Sequence, residues 1–189
     1  MSTIVEDSLD HRLATRVALE RGARGWSVAE LAARSGVSRA MISRIERGDA
    51  KPTASLLGKL SAALGLPLSL LLARVEGEPS RLSRAAAQAT WTDPESGYRR
   101  RALSSSGDGV LQLTEVVLPA GARVAFAAAV YTFIHQQIWV MEGRLTFYEG
   151  SEVVELDAGD CLTLGPPADC RFENRTSTDC RYLVAVVRR

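Results

Sequence analysis

The chain has little of the residues that most often announce chemistry: two histidines and three cysteines in 189 residues. The cysteines, Cys161, Cys170 and Cys180, are odd in number and form no CxxC pair. That excludes a disulfide framework and a thiolate zinc site of the usual spacing. They read as reduced thiols on strands of a cytosolic protein, with redox sensing as the alternative, which needs an exposed thiolate of lowered pKa. No run of roughly 18 apolar residues is present, so no membrane partner is expected. The first ten residues, MSTIVEDSLD, are acidic and lack a signal core, so a cytoplasmic location is expected. Net charge is also nearly absent, at +1, until the chain is divided. Residues 1–75 hold 11 Lys and Arg against 7 Asp and Glu, and the remainder holds 12 against 15. The first part is therefore the part that suits a polyanion.

What is present begins with VAELAARSGVSRAMISRIERG, Val28 to Gly48, which reads as two short helices across a tight turn. Ser27 is a good N-cap, and Glu30 lies where a capping box wants an acid. Leu31, Ala32 and Ser35 share one side of the first helix, with small Ala32 where a second helix crosses closely. Gly36 supplies the positive φ that the turn requires. Val37 plugs the core, Ser38 caps the second helix, and Met41, Ile42 and Ile45 form its apolar side. Gly48 stops it. The side left over carries Arg39, Ala40, Ser43 and Arg44, residues short or basic enough to enter a major groove.

From Arg12 to Leu72 the chain resembles the Cro/C1-type (XRE) helix-turn-helix domain, through Arg21, RGWS, LAARSGVSRAMISRIERGDAKPT and LSAALGLPLSLLL. The resemblance implies a five-helix bundle whose third helix, Ser38 to Arg47, lies in the major groove of double-stranded DNA. By position, Ser38 caps that helix, Arg39, Ala40 and Arg44 meet base edges, and Ser27, Ser43 and Lys51 meet phosphates. Arg21 and Glu46 are implied to form a structural ion pair, whereas Arg24 and Arg34 read as solvated surface. Val28 stands where many members have glutamine, so one polar contact is missing.

Residues 73–97, with Gly, Pro and Ser throughout, read as a linker. Ser83 to Gln88 has the composition of a helical turn or two, and Trp91 anchors the linker's end against the second domain. From Tyr98 the period changes from 3.6 to 2. YRRRALSS, VLQLTEVVL, ARVAFAA, QIWVMEGRLTFYEG, EVVELDAG, DCLTLG, CRFEN and CRYLVAVV are short strands separated by turn residues, as in a β-sandwich or barrel. Tight turns are expected at Glu142-Gly143 and Glu149-Gly150. The expected organisation is α + β in two domains: a helix-turn-helix domain at 12–72, a linker at 73–97, and an antiparallel β domain at 98–189 for effector binding and dimerisation.

Through WVMEGRLTFYEG, LDAGDCLTLGPPADCRFEN and the PAGARV turn, this second part resembles the cupin fold, a jelly-roll β-barrel. The resemblance places the usual metal ligands at Ala129, Tyr131, Gln136 and Cys170. None of these is a histidine or carboxylate, and lone His135 reads as a polar loop residue. No bound metal, other cofactor or catalytic residue is therefore expected. Tyr131, Gln136, Ile138, Val140 and Cys170 are the candidate lining of an effector pocket, or else simply fill the barrel. Arg99, Arg100, Arg101 or Arg171 reaches a carboxylate if one of them points inward. The function expected is that of a transcriptional regulator: a homodimer on a palindromic operator, modulated by a small organic molecule, and not an enzyme. Two readings stay open beside it. One is a DNA-binding chain whose barrel only dimerises or docks a partner. The other is a cupin enzyme with a DNA-binding head, whose acid–base groups would be Tyr131, Cys170 and His135.

Overall fold

A computed structural model describes residues 9–72, 81–104 and 111–188. Residues 73–80 of the expected linker lie outside the described residues. The first part contains α1 (Leu9–Ala23), α2 (Val28–Ser35), α3 (Arg39–Glu46), α4 (Ala54–Ala63) and α5 (Leu68–Leu72). Four of these are helices of eight residues or more. The fifth is little over one turn, because Gly65 at φ 65° and Pro67 break the chain before it. The capping box forms at the start of α2: Ser27 Oγ accepts from the Glu30 N–H at 3.1 Å, and Glu30 accepts from the Ser27 N–H at 2.6 Å. Gly36 then ends α2 at φ 66°, and Ser38 caps α3. Leu13, Val17, Leu31, Val37, Ile42 and Ile45 close the core between these helices.

The second part is built from ten strands: β1 (Thr90–Thr92), β2 (Arg99–Ala102), β3 (Leu111–Leu118), β4 (Arg123–Phe126), β5 (Ile134–Glu142), β6 (Arg144–Glu149), β7 (Glu152–Asp157), β8 (Cys161–Thr163), β9 (Cys170–Glu173) and β10 (Cys180–Arg188). They form two antiparallel sheets, ordered β1-β2-β3-β10-β5-β8 and β4-β9-β6-β7. No hydrogen-bonded closure joins the sheets' edges among the described residues, so this domain is a sandwich and not the closed barrel expected. The chain switches sheets at turns such as that between Asp157 and Cys161, instead of pairing continuously around a circumference. Aromatic rings fill the space between the sheets. Phe172 of the small sheet stacks on Tyr182 of the large one with centroids 5.8 Å apart, and Phe147 and Phe126 complete the layer.

Both expected turns are present, with Gly143 at φ 80° and Gly150 at φ 58°. A side chain at Gly143 would also strike the Asp179 carbonyl, 2.7 Å from where its Cβ would lie. Two expectations need correction. The sheet begins at Thr90, inside the stretch read as linker, because three residues, TWT, are too few to show a period of 2. Trp91 is buried there, as an anchor should be. His135 is not in a loop but on β5, exposed beside inward-facing Ile134 and Gln136.

The helical part and the sandwich share one hydrophobic core. Helix α4 makes the contact with its small residues. Gly58 lies so near Phe126 that an added Cβ would stand 3.0 Å from the ring, and buried Ala54 and Ser61 flank it. The buried Asp93 carboxylate, on the turn after β1, accepts the Ala54 N–H at the start of α4 at 2.5 Å. It also accepts the Glu95 and Ser96 N–H groups. An acid at a helix N-terminus complements the helix dipole, so Asp93 ties the two parts together electrostatically as well as sterically.

Candidate nucleic-acid interface and interior cavity

Helix α3 packs on α1 and α2 and leaves its opposite side in solvent. Arg39, Ala40 and Arg44 are exposed on that side, Ser43 is half-buried at its edge, and Lys51 is exposed in the loop before α4. The caps hold this surface in place. Ser38 Oγ accepts from the Met41 N–H at 3.2 Å, which leaves its own proton free for a phosphate. Ser27 is exposed, but its backbone N–H is already taken by Glu30. The same hydrogen bond, with that from the Ser27 side chain, holds the Glu30 carboxyl below its ordinary range. A phosphate at Ser27 therefore has to bind beside a carboxylate and to displace it from the Ser27 donors.

Arg21 presents two nitrogens to Glu46, at 2.7 and 2.8 Å, and a third to the Trp26 carbonyl at 2.8 Å. The pair links the end of α1 to the end of α3, with side chains only 20% and 11% exposed. It fixes the angle of α3 against the bundle. Arg24 and Arg34, read as solvated, are both engaged. Arg24 donates to Glu20 and to the Leu64 carbonyl at the end of α4, and Arg34 lies over the Trp26 ring, 4.3 Å from its centroid. Spacing of four residues between Glu20 and Arg24 signalled the first contact; no local pattern signalled the others.

The expected pocket residues are all buried, but they do not share one space. Gln136, Ile138 and Val140 alternate inward along β5, as a half-buried strand requires. Ile138 and Val140 are completely enclosed by packing. Tyr131 and Gln136 line a cavity of about 30 Å³, together with Tyr98, Arg100 and Phe126 of the sandwich and Leu68 of α5. Cys170 does not line this cavity: it borders a separate groove with Tyr148 and Arg171, and its thiol donates to the Ala168 carbonyl at 3.4 Å. Burial pushes the Cys170 thiol up to about 11 and raises Tyr131 well above the usual phenol range. A divalent cation needs the thiolate or phenolate, so a neutral thiol, a neutral phenol and the Gln136 amide do not fit the metal that the cupin resemblance implies. Nor do three His, Cys, Asp or Glu side chains come together as a ligand set anywhere among the described residues. Of the four arginines considered for an inward role, Arg100 takes it. Arg99 is exposed, Arg101 is paired with Glu115, and Arg171 lies over the Tyr148 ring.

The helix-turn-helix family HTH_3 matches residues 17–71. The HTH-type transcriptional regulator SutR of Escherichia coli (strain K12) is 38% identical over 66 residues, which are 35% of this chain and 37% of SutR. The chain thus spans little more than a third of the length of that relative. Over 95% of its length, the fold matches 96% of an HTH_3 family transcriptional regulator from Vibrio cholerae, with a TM-score of 0.77 and 21% identity. A cupin_2 domain of an XRE family transcriptional regulator from Enterobacter cloacae covers 48% of this chain and 95% of that domain, at a TM-score of 0.44 and 12% identity. That likeness is too distant to carry an argument. Residues 17–71 therefore carry the helix-turn-helix match to HTH_3, in one chain with an antiparallel two-sheet domain.

Proposed function

We propose that this chain is a sequence-specific DNA-binding transcriptional regulator that acts as a homodimer and whose sandwich, of cupin type, receives a small organic effector. The exposed side of α3 carries the proposal. It presents two arginines around a small alanine, on a helix whose orientation is set by the Arg21–Glu46 fork. Arg39 and Arg44 are the base-reading residues, since a guanidinium matches the two acceptors of guanine in the major groove. Ser27, Ser38, Ser43 and Lys51 surround them as phosphate contacts.

Pairing is supported by the outer surface of the large sheet. Trp139, 47% exposed, stands there beside Leu183 of β10, and Leu113 of β3 faces Ala185. Glu115 completes the first row and Gln137 the second, so the patch is apolar at its centre with a polar residue at opposite ends, a mixed surface that suits a second copy of the sheet. Two paired heads then read an inverted repeat with half-sites about 34 Å apart.

The cavity supports the alternative that the sandwich only pairs or docks, because about 30 Å³ has room for roughly two waters. Selection of binding sites from random duplex DNA by the full chain tests the principal reading. A single enriched motif, lost with Arg39→Ala, supports it; uniform, salt-sensitive binding to all sequences contradicts it.

A further inference from the structure

Among the described residues Arg100 is a buried cation without an acid. It is 9% exposed, one of its nitrogens donates to the Tyr98 hydroxyl at 2.8 Å, and no carboxylate lies within 4.0 Å of it among the described residues. A charge withdrawn from water is normally paired. The groups around Arg100 are donors too. The Tyr98 hydroxyl, having accepted from Arg100, keeps its own proton to give. Tyr182 stacks on the lining residue Phe172 without itself lining the cavity, and its fully buried hydroxyl has no hydrogen-bond partner among the described residues. Tyr131 and Gln136 line the same cavity, and no carboxylate does.

One fixed positive charge, surrounded by neutral donors and by the apolar walls of Phe126, Ile134 and Phe172, describes a receptor for a monoanion with a carbon skeleton. The planar fork of a guanidinium matches a carboxylate in both spacing and charge. A second void, of about 20 Å³, flanks the same side chain beneath Ser69 and Leu72. Helix α5 therefore roofs Arg100 on both sides. Because the present cavity admits only water, a ligand with carbon atoms enters only if a wall shifts, and α5, little over one turn long, is a wall not built into a sheet. This helix packs on α1 and α4 of the DNA-binding head.

We propose that Arg100 anchors a binding site for a small organic carboxylate between β2 and α5, and that occupancy of this site moves α5 relative to the sandwich. The proposal rests on the sandwich being an effector domain. By linkage, a ligand that prefers the shifted position of α5 changes operator affinity, and operator DNA changes ligand affinity by the same factor.

Thermal denaturation of the full chain tests it, with acetate, benzoate and succinate as probes, their primary amides as neutral counterparts and inorganic sulfate as a competing anion. At saturation one of the carboxylates raises the melting temperature by roughly 2–6 °C, while its amide and sulfate do not. Arg100→Gln abolishes the rise, and Arg100→Lys keeps part of it. If Arg100→Gln does not fold, Tyr98→Phe, which removes only a hydroxyl that lines the cavity beside Arg100, must diminish the rise. Equal stabilisation by acid and amide, or a full rise in Arg100→Gln, overturns the anion site while leaving an effector domain in place. Stronger binding of sulfate also overturns it. No rise with any probe overturns the carboxylate site, and unaltered operator binding by the same preparation shows that the DNA-binding reading survives.

Discussion

Arg39 and Arg44 both stand on the exposed side of α3, where Arg44 makes one long bond, 3.4 Å, to the Asp49 carbonyl, while Arg21, Arg24 and Arg34 are each held by a neighbour within the bundle. Their substitutions should separate accordingly. Arg39→Ala should weaken discrimination among operator variants by about 1–3 kcal/mol and leave urea denaturation unchanged. Arg21→Ala should lower stability by about 3 kcal/mol, since it strands the mostly buried Glu46 carboxylate. An unchanged denaturation midpoint in that variant would show that the fork is dispensable. The buried thiols make a prediction of opposite pH sense to the usual carboxylate. Burial raises Cys170 and Cys180 from 9.0 to about 11, so the folded state holds these protons more tightly than the unfolded chain. Their contribution to stability is complete below pH 9 and is lost as pH rises toward about 11. Alkylation should mark exposed Cys161 first, and denaturation followed across this pH range should show the loss diminish in Cys180→Ala.

At the scale of elements, the parts that were legible in the sequence are those written locally. Ser27 with Glu30, Gly36, and Ser38 each act within four residues, so the ends of α2 and the start of α3 came directly from chain chemistry. The alternation along β5 likewise showed which residues face inward. Tyr98 and Arg100, just before and on β2, alternate in the same way, and once Tyr98 is recognised as core, Arg100 must share its side. What could not be read were contacts between distant segments. Gly58 looks like an unfavourable residue in a helix until Phe126 is placed against it, and Asp93 looks like a turn residue until α4 donates to it. These two positions predict the strength of the joint. Gly58→Val should cost about 1–3 kcal/mol by overpacking. Asp93→Ala should cost about 2–3 kcal/mol by removing a charged acceptor from buried N–H groups. Both losses should appear as lower urea midpoints, and a midpoint equal to that of the parent protein would mean that the joint contributes nothing.

For the whole molecule, the consequence of that joint is that the head is not on a loose tether. Helix α4 and the short α5 are built into the same core as the sandwich, so the position of each α3 is set by the sheet on which its own domain rests. In a dimer paired through the large sheets, the spacing between the two recognition helices would then be a property of the fold and not of residues 73–97. The same joint would let a ligand at the proposed site beneath α5 alter DNA affinity without touching DNA. Hydroxyl-radical footprinting of the full chain on its selected operator tests this account most directly. It predicts two protected half-sites related by a two-fold axis, with centres about 34 Å apart, both lost in Arg39→Ala. A single protected half-site, or an unchanged footprint in Arg39→Ala, would contradict it.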